Sequence, residues 1–350
     1  MKKSSRLLGV FALAAVLAFS LAACFHVTDK SGAGTSADPH LISNAGQLKK
    51  LADEVNAGDN KSGEYYKLAD NIDLLAYRAG WTPIGRNEDT PFSGNFDGAG
   101  FVISNLFIDD SNQNNSVGLF GDIVGGKVAN LGVEIAASGS YSVGGVAGYV
   151  EGGAISNCYV SGSIEGIASV GGVTGYLESG EISNCYFTGS VAGLAVVGGV
   201  TGAVVDGSVS NSYATGVLAG IAFVGGVAGA IYDSGSIIKN CASLFYSIVD
   251  ATDSLGLGLD LDLSGGIGRV VGYNDAGTLQ NNVAYAAMTL PPGATPTNNL
   301  DDVDGGNITL AQLNNRTTYE TGLGWKFGSN ANNPWAWNSI LGLPVLHMQP

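Results

Sequence analysis

From residue 143 to residue 223 the chain repeats one 27-residue phrase three times without a gap: VGGVAGYVEGGAISNCYVSGSIEGIAS, VGGVTGYLESGEISNCYFTGSVAGLAV and VGGVTGAVVDGSVSNSYATGVLAGIAF. Val143, Val170, Val197 and Val224 hold the register. A constant period of this length describes stacked supersecondary units, none of which can bury its apolar face without a neighbour. Helices are a poor explanation, because Gly lies inside every copy and β-branched residues dominate. Short strands broken by turns remain, and they predict an all-β fold: a parallel β-helix or β-solenoid.

In such a fold each residue stacks on its equivalent one coil away, at about 4.8 Å. Asn recurs with the same neighbours at Asn105, Asn130, Asn157, Asn184, Asn211, Asn240 and Asn282, which predicts about seven coils and one structural Asn ladder. Asn suits that place because it tolerates left-handed geometry and its amide both donates and accepts. Gly144, Gly145 and their copies are expected at another tight corner. Val146, Val173, Val200 and Val227, with Ile155, Ile182 and Val209, should fill the interior. Cys158, Cys185 and Cys241 follow ladder asparagines in a column that also takes Leu106, Leu131, Ser212 and Val283, an interior packing position. Buried free thiols and a Cys158–Cys185 disulfide are both compatible with stacking, and thiols fit a column that does not require pairing. Tyr159, Tyr186 and Tyr213 come one residue later, so alternation sends them to the other face. There they form either a ligand platform for sugar rings or a surface ladder that stabilises the sheet.

Composition narrows the function. A formal charge of −15 with no Lys, Arg or His between Lys127 and Lys239 excludes nucleic acid as a partner. The same gap deprives a lyase of its base. Glu151 and Glu178 are equivalent and would stack as one carboxylate pair, but they precede Gly turns and read as solvated corner residues.

The flanks of the array read differently. Residues 1–23 have the parts of a secretory signal, with Lys2, Lys3 and Arg6 before an apolar run. Leu21-Ala22-Ala23-Cys24 resembles a bacterial lipobox, which implies lipidation of Cys24; an ordinary secretory signal is the alternative. Phe25 in place of Asp points to the outer membrane, so the expected location is exported and lipid-anchored at the cell surface. Residues 24–39 read as a tether, and residues 40–100 as an N-terminal cap with first strands. In the cap, Leu48, Leu51, Ala52 and Val55 at helical spacing follow a capping Ser43 or Asn44 and should lie over the first coil. Repeats occupy residues 101–290 with an insertion at 250–266, where LGLGLDLDL predicts a projecting strand. Residues 291–350, rich in Trp, are expected to cap the last coil. Asp302 and Asp304 sit in an oxygen-rich turn that offers Ca²⁺ as a weak candidate cofactor against a solvated acidic turn, since the closing Glu of a calcium loop is missing. No other cofactor is expected.

The phrases VGGVxG and ISNCYxxGxV, with HLISNAGQLKKLADEVNAG, YYKLADNIDL, WTPIG, FSGNFDGAGFVISNL and VGLFGDI before them, resemble bacterial surface and secreted proteins with GLUG-type repeats. The resemblance covers nearly all of the mature chain. It implies an adhesin-like or matrix-like β-solenoid, sometimes joined to peptidase domains, and brings no catalytic residue. No H-E-x-x-H occurs here. The expected function is a non-catalytic, membrane-anchored surface scaffold whose partners are a host or matrix protein or a glycan; the alternatives are a carbohydrate-binding module and a polysaccharide lyase or hydrolase. Replacing the lipid-bearing residue, Cys24→Ala, should move the protein from the membrane to the soluble fraction on cell fractionation; continued membrane retention would contradict lipid anchoring.

Overall fold

The computed structural model describes residues 32–78, 80–110, 116–251, 266–330 and 332–347. One phrase of the repeat makes one turn, and its strands fall on three parallel sheets. The turn beginning at Glu181 places Glu181–Ser183 and Tyr186–Ala192 on the first, Ala195–Gly198 on the second and Thr201–Val205 on the third. The three sheets have 17, 5 and 6 strands, and the whole is a parallel β-solenoid of about nine turns. Stacking is in register at the repeat period: Ile155 pairs with Ile182 and Ile182 with Val209, while Val170 pairs with Val197 and Val197 with Val224.

The interior follows the expected columns. Val146, Val173, Val200 and Val227 are fully buried, as are Ile155, Ile182 and Val209. Each such side chain contributes about 1.5–3 kcal/mol by leaving water. Cys158, Cys185 and Cys241 are buried free thiols; burial pushes the Cys158 thiol up and that of Cys241 to about 12. In the same column Ser212 donates to the Ser210 carbonyl and accepts from the Cys185 amide, so its hydroxyl is satisfied inside the core.

The ladder asparagines take the left-handed conformation, with φ of 57° at Asn130 and 52° at Asn157 and Asn184. Asn157 Nδ2 donates to Asn130 Oδ1 at 3.1 Å, and Asn240 Nδ2 to Asn211 Oδ1 at 3.4 Å. Two members differ from the sequence expectation. Asn282 is not on the ladder: Asn281, with φ 52°, donates to Asn240 Oδ1, and Asn282 occupies the cysteine column, where its amide bonds the Cys241 amide and the Ile238 carbonyl. Asn105 is left-handed too, but it bonds Asp73, and its strand Val102–Asp109 lies against residues 132–138 rather than against Asn130. The place below Asn130 belongs to Asp97, whose carboxylate accepts the Asn130 amide at 2.9 Å. Accordingly Leu106 pairs with Ile135 and Val283 with Ala242, and both leave the cysteine column.

Gly144, Gly171, Gly198 and Gly225 have ordinary negative φ; their reason is close approach. A Cβ at Gly171 would lie 2.2 Å from the Thr174 carbonyl oxygen and 2.6 Å from the Gly202 nitrogen of the next turn. The same column keeps Gly268 in the last turn, but the neighbouring column of Gly145, Gly172, Gly199 and Gly226 ends on a large side chain. Arg269 stands in register with Gly226 of the turn before, and its buried guanidinium donates to Asn307, Thr297 and Gly305 in the closing loop.

At the other end the helix Ala45–Asn56 begins at Asn44, whose side chain accepts from the Gln47 amide, and buries Leu48, Leu51, Ala52 and Val55. A parallel pair, His40–Ile42 with Tyr65–Leu68, starts the first sheet. Among the described residues no helix is long and apolar enough to cross a membrane.

The C-terminal part departs from its expected place. The last rung is Gly306–Ile308 on Val283–Tyr285, after which the helix Leu310–Leu313 and the antiparallel pair Trp335–Asn338 with Leu343–Leu346 fold back along the side of earlier turns. Trp325 Nε1 reaches the Asn240 carbonyl, and Tyr213 OH donates to the Pro344 carbonyl at 2.7 Å. Residues 297–308 thus close the last turn, whereas Leu310–Leu313 and the pair Trp335–Asn338 with Leu343–Leu346 form a lateral strap.

The Asn column yields a stability test. Asn157→Ala should cost about 1–3 kcal/mol in denaturant unfolding, because it loses an amide bond and forces Ala into left-handed space. Asn157→Gly keeps the backbone and should recover about 1 kcal/mol of that loss; equal destabilisation by both would assign the whole effect to the amide.

Candidate functional site

The tyrosine column runs on the face that alternation required, yet it is not open. Tyr159 stacks on Tyr186 at 5.3 Å and 10°, and Tyr186 on Tyr213 at 5.0 Å and 4°. The strap then covers them: Trp325 lies 6.1 Å from Tyr213 and Trp335 lies 6.2 Å from Tyr186. Tyr186 and Tyr213 are 5% and 2% exposed, members of a second apolar cluster with Leu313, Tyr319, Trp325, Trp335 and Leu346. The expected ligand platform is thus a buried seam, since stacked rings are large apolar surfaces that bind the chain's own tryptophans.

The third sheet leaves a different face open. Its outward column reads Asp122, Tyr149, Tyr176, Ala203, Ala230, Tyr273, each paired in register with the next. Tyr149 and Tyr176 pair at 5.6 Å, and Tyr149 OH donates to Glu178 Oε2 at 2.6 Å. Over the small residues lie Val196 and Phe223, held at φ 57° and 54°. A β-branched or bulky residue rarely takes that conformation; here the apolar cover over Ala203 and Ala230 offsets the cost. Tyr232 and Tyr273 remain 41% and 37% exposed, so this flank carries aromatic rings beside Glu151 and Glu178.

At the start of that face is a hollow of about 610 Å³ lined by Asn87, Glu88, Pro91, Ser116, Asp122, Val124, Tyr149 and Glu151. Asp122 is 4% exposed, and its Oδ1 has no hydrogen-bond partner among the described residues. Burial pushes its carboxyl up to about 6; the Ser116 hydrogen bond opposes the shift and the Glu88 charge adds to it. Sequence reading passed over Asp122. The available signal was the alignment of FGDIVGG with AGYVEGG, which puts an acid where later turns carry tyrosine. A smaller hollow of about 340 Å³ lies by Arg78, Asn105 and Glu134.

The other expected sites are scattered. Cys24 and the LGLGLDLDL segment lie outside the described residues. Asp304 accepts from the Arg269 amide at 3.1 Å and the Thr297 amide at 2.8 Å, and Asp302 from the Val303 amide and the Thr297 hydroxyl, so the acidic turn is stapled to the array's end. Among the described residues no three His, Cys, Asp or Glu side chains converge as a metal site.

Comparison with known proteins bears on the fold first. The GLUG motif matches residues 139–165 and 166–192, each one full turn, so the chain is a β-solenoid that carries GLUG repeats. A 117-residue segment, 32% of this chain, is 36% identical to halomucin of Haloquadratum walsbyi and spans 1% of that protein's length. A Bacteroides ovatus crystal structure, described as a candidate immunoglobulin A1 protease, superposes with TM-score 0.72 at 24% identity over 91% of this chain and 95% of that one. An IgA1 protease structure gives TM-score 0.51 at 19% identity over 77% of this chain and 21% of the other. These two likenesses show the shared fold.

Asp122 predicts a pH effect. Its folded pKa of about 6 lies above the unfolded value near 3.9, so the folded state holds the proton more tightly. Its contribution to stability is therefore greatest below about pH 4 and is lost as pH rises through about 6, by on the order of 2–3 kcal/mol. Urea unfolding across that window should show Asp122→Asn without this loss; identical pH dependence in both chains would assign the titration elsewhere.

Proposed function

We propose that the chain is a lipid-tethered, surface-displayed binding scaffold with an adhesin-like role and no catalysis of its own. The observation that supports it is the contrast between flanks. The chain spends two tryptophans covering one aromatic column and leaves the Tyr149, Tyr176, Tyr232 and Tyr273 flank open beside acids, a surface suited to ligands with hydroxyl-rich and apolar faces. A stack of about nine turns is also a stiff spacer that holds this flank away from its tether. The signal-like residues 1–23 and Cys24 supply export and anchoring in this reading.

The names of the structural neighbours favour a second reading, proteolysis of immunoglobulin A1. A solenoid equivalent to 21% of an IgA1 protease fits a part that positions substrate.

Protease shaving of intact cells, followed by mass spectrometry, tests display: peptides from residues 116–251 should be released before lysis, and their protection until lysis would overturn the adhesin-like role. Incubation of the purified chain with immunoglobulin A1 should leave it intact; cleavage fragments would establish the proteolytic reading instead.

A further inference from the structure

The hollow by Asp122 holds a problem that the scaffold does not solve. A buried carboxylate is costly unless a cation or donors satisfy it. Ser116 holds one side of Asp122, Oδ1 has no protein partner among the described residues, and the charge acting on it is another acid, Glu88. The repeat itself does not require an acid here, since the next two turns place Tyr149 and Tyr176 in the same column. Stability alone would favour tyrosine or a small apolar residue.

The surroundings say what the carboxylate can receive. Glu88 and Glu151 share the lining with Asp122, so the hollow favours positive charge. A divalent metal needs several oxygens converging at about 2.0–2.6 Å, and no such set of acids is present among the described residues. A primary ammonium needs less convergence, because it donates three separate hydrogen bonds to acceptors at ordinary distance. The hollow's volume of about 610 Å³ is that of a small-ligand pocket. Its wall is the Tyr149 ring, backed by Tyr176 and pinned by the bond from its hydroxyl to Glu178. An aromatic wall of fixed orientation beside polar Asn87 and Ser116 suits a ring that has an apolar face and hydroxyls, not a thin alkyl chain.

We propose that this hollow binds an amino sugar bearing a free primary ammonium, with the ammonium at the Asp122 carboxylate beside Glu88 and Glu151 and the sugar ring against Tyr149. The inference deepens the binding role proposed for this flank, but it does not depend on surface display: binding in solution can fail while shaving succeeds, and the reverse.

Calorimetric titration of the purified full chain with a β-1,4-linked glucosamine tetramer, its N-acetylated counterpart and trilysine is the test. Saturable binding of the glucosamine tetramer is expected, at least tenfold tighter than either of the other two. Asp122→Asn, isosteric and uncharged, should weaken it at least tenfold, and Glu151→Gln several-fold. Glu134→Gln, in the other hollow, should leave it unchanged and so controls for general attraction to an acidic chain. Thermal melts verify that each variant is folded; if Asp122→Asn is not, the comparison of Glu151→Gln with Glu134→Gln decides. Equal binding of the acetylated sugar, binding of trilysine alone, equal losses in Glu151→Gln and Glu134→Gln, or no binding of the glucosamine tetramer would each overturn the proposal.

Discussion

The solenoid depends on in-register stacking of each turn on the one before. A parallel stack forces residue i to meet residue i+27, so a side chain must be compatible with copies of itself on both sides. Valine, isoleucine and small thiols meet that condition in the interior; asparagine meets it at the bend, where one amide donates to the next. Glycine meets it where backbone presses on backbone. Gly162, Gly189 and Gly216 pair in one column, and a Cβ on Gly189 would sit 2.0 Å from the Gly162 oxygen. One bulky residue there would disturb two interfaces, which is why the phrase changes so little along the array.

That constraint explains what the sequence could express. The period, the interior columns and the capping helix were all legible, because each is a local pattern multiplied by stacking; whether the stacked cysteines are thiols or a disulfide was not, because stacking permits both. The ends of the array were also less legible. Asn282 and Asn281 are neighbours of one type, and only the pairing of Val283 with Ala242 tells which of them bends the chain. Asn105 carried the same phrase as the others but a spacing of 25 instead of 27, the mark of a turn built to another length between Ile72–Asp73 and Lys127–Ser138. A repeat pattern is less informative where the turn length changes.

The tyrosine column failed for a different reason. Alternation correctly placed Tyr159, Tyr186 and Tyr213 outside the solenoid, and no local rule could add that residues more than a hundred positions later return to cover them. The bond from Tyr213 to Pro344 spans 131 residues. Apolar area on a sheet face is a resource for whichever segment reaches it first, and a tethered segment of the same chain has the entropic advantage over any ligand.

The same logic locates function where the repeat declines to optimise itself. A ladder of identical turns that serves only stability would carry tyrosine or alanine through the whole outward column of the third sheet. It begins instead with Asp122, buried, short of a partner and beside other acids, while the rest of the column pairs ring with ring or packs small residues beneath Val196 and Phe223. Stacking cannot account for that residue, because the turns that follow place tyrosine or alanine in its column and its Oδ1 has no hydrogen-bond partner among the described residues. A group kept at a cost to the fold is more informative than any number of residues that stacking explains, and here it stands at the head of the flank that the strap leaves uncovered.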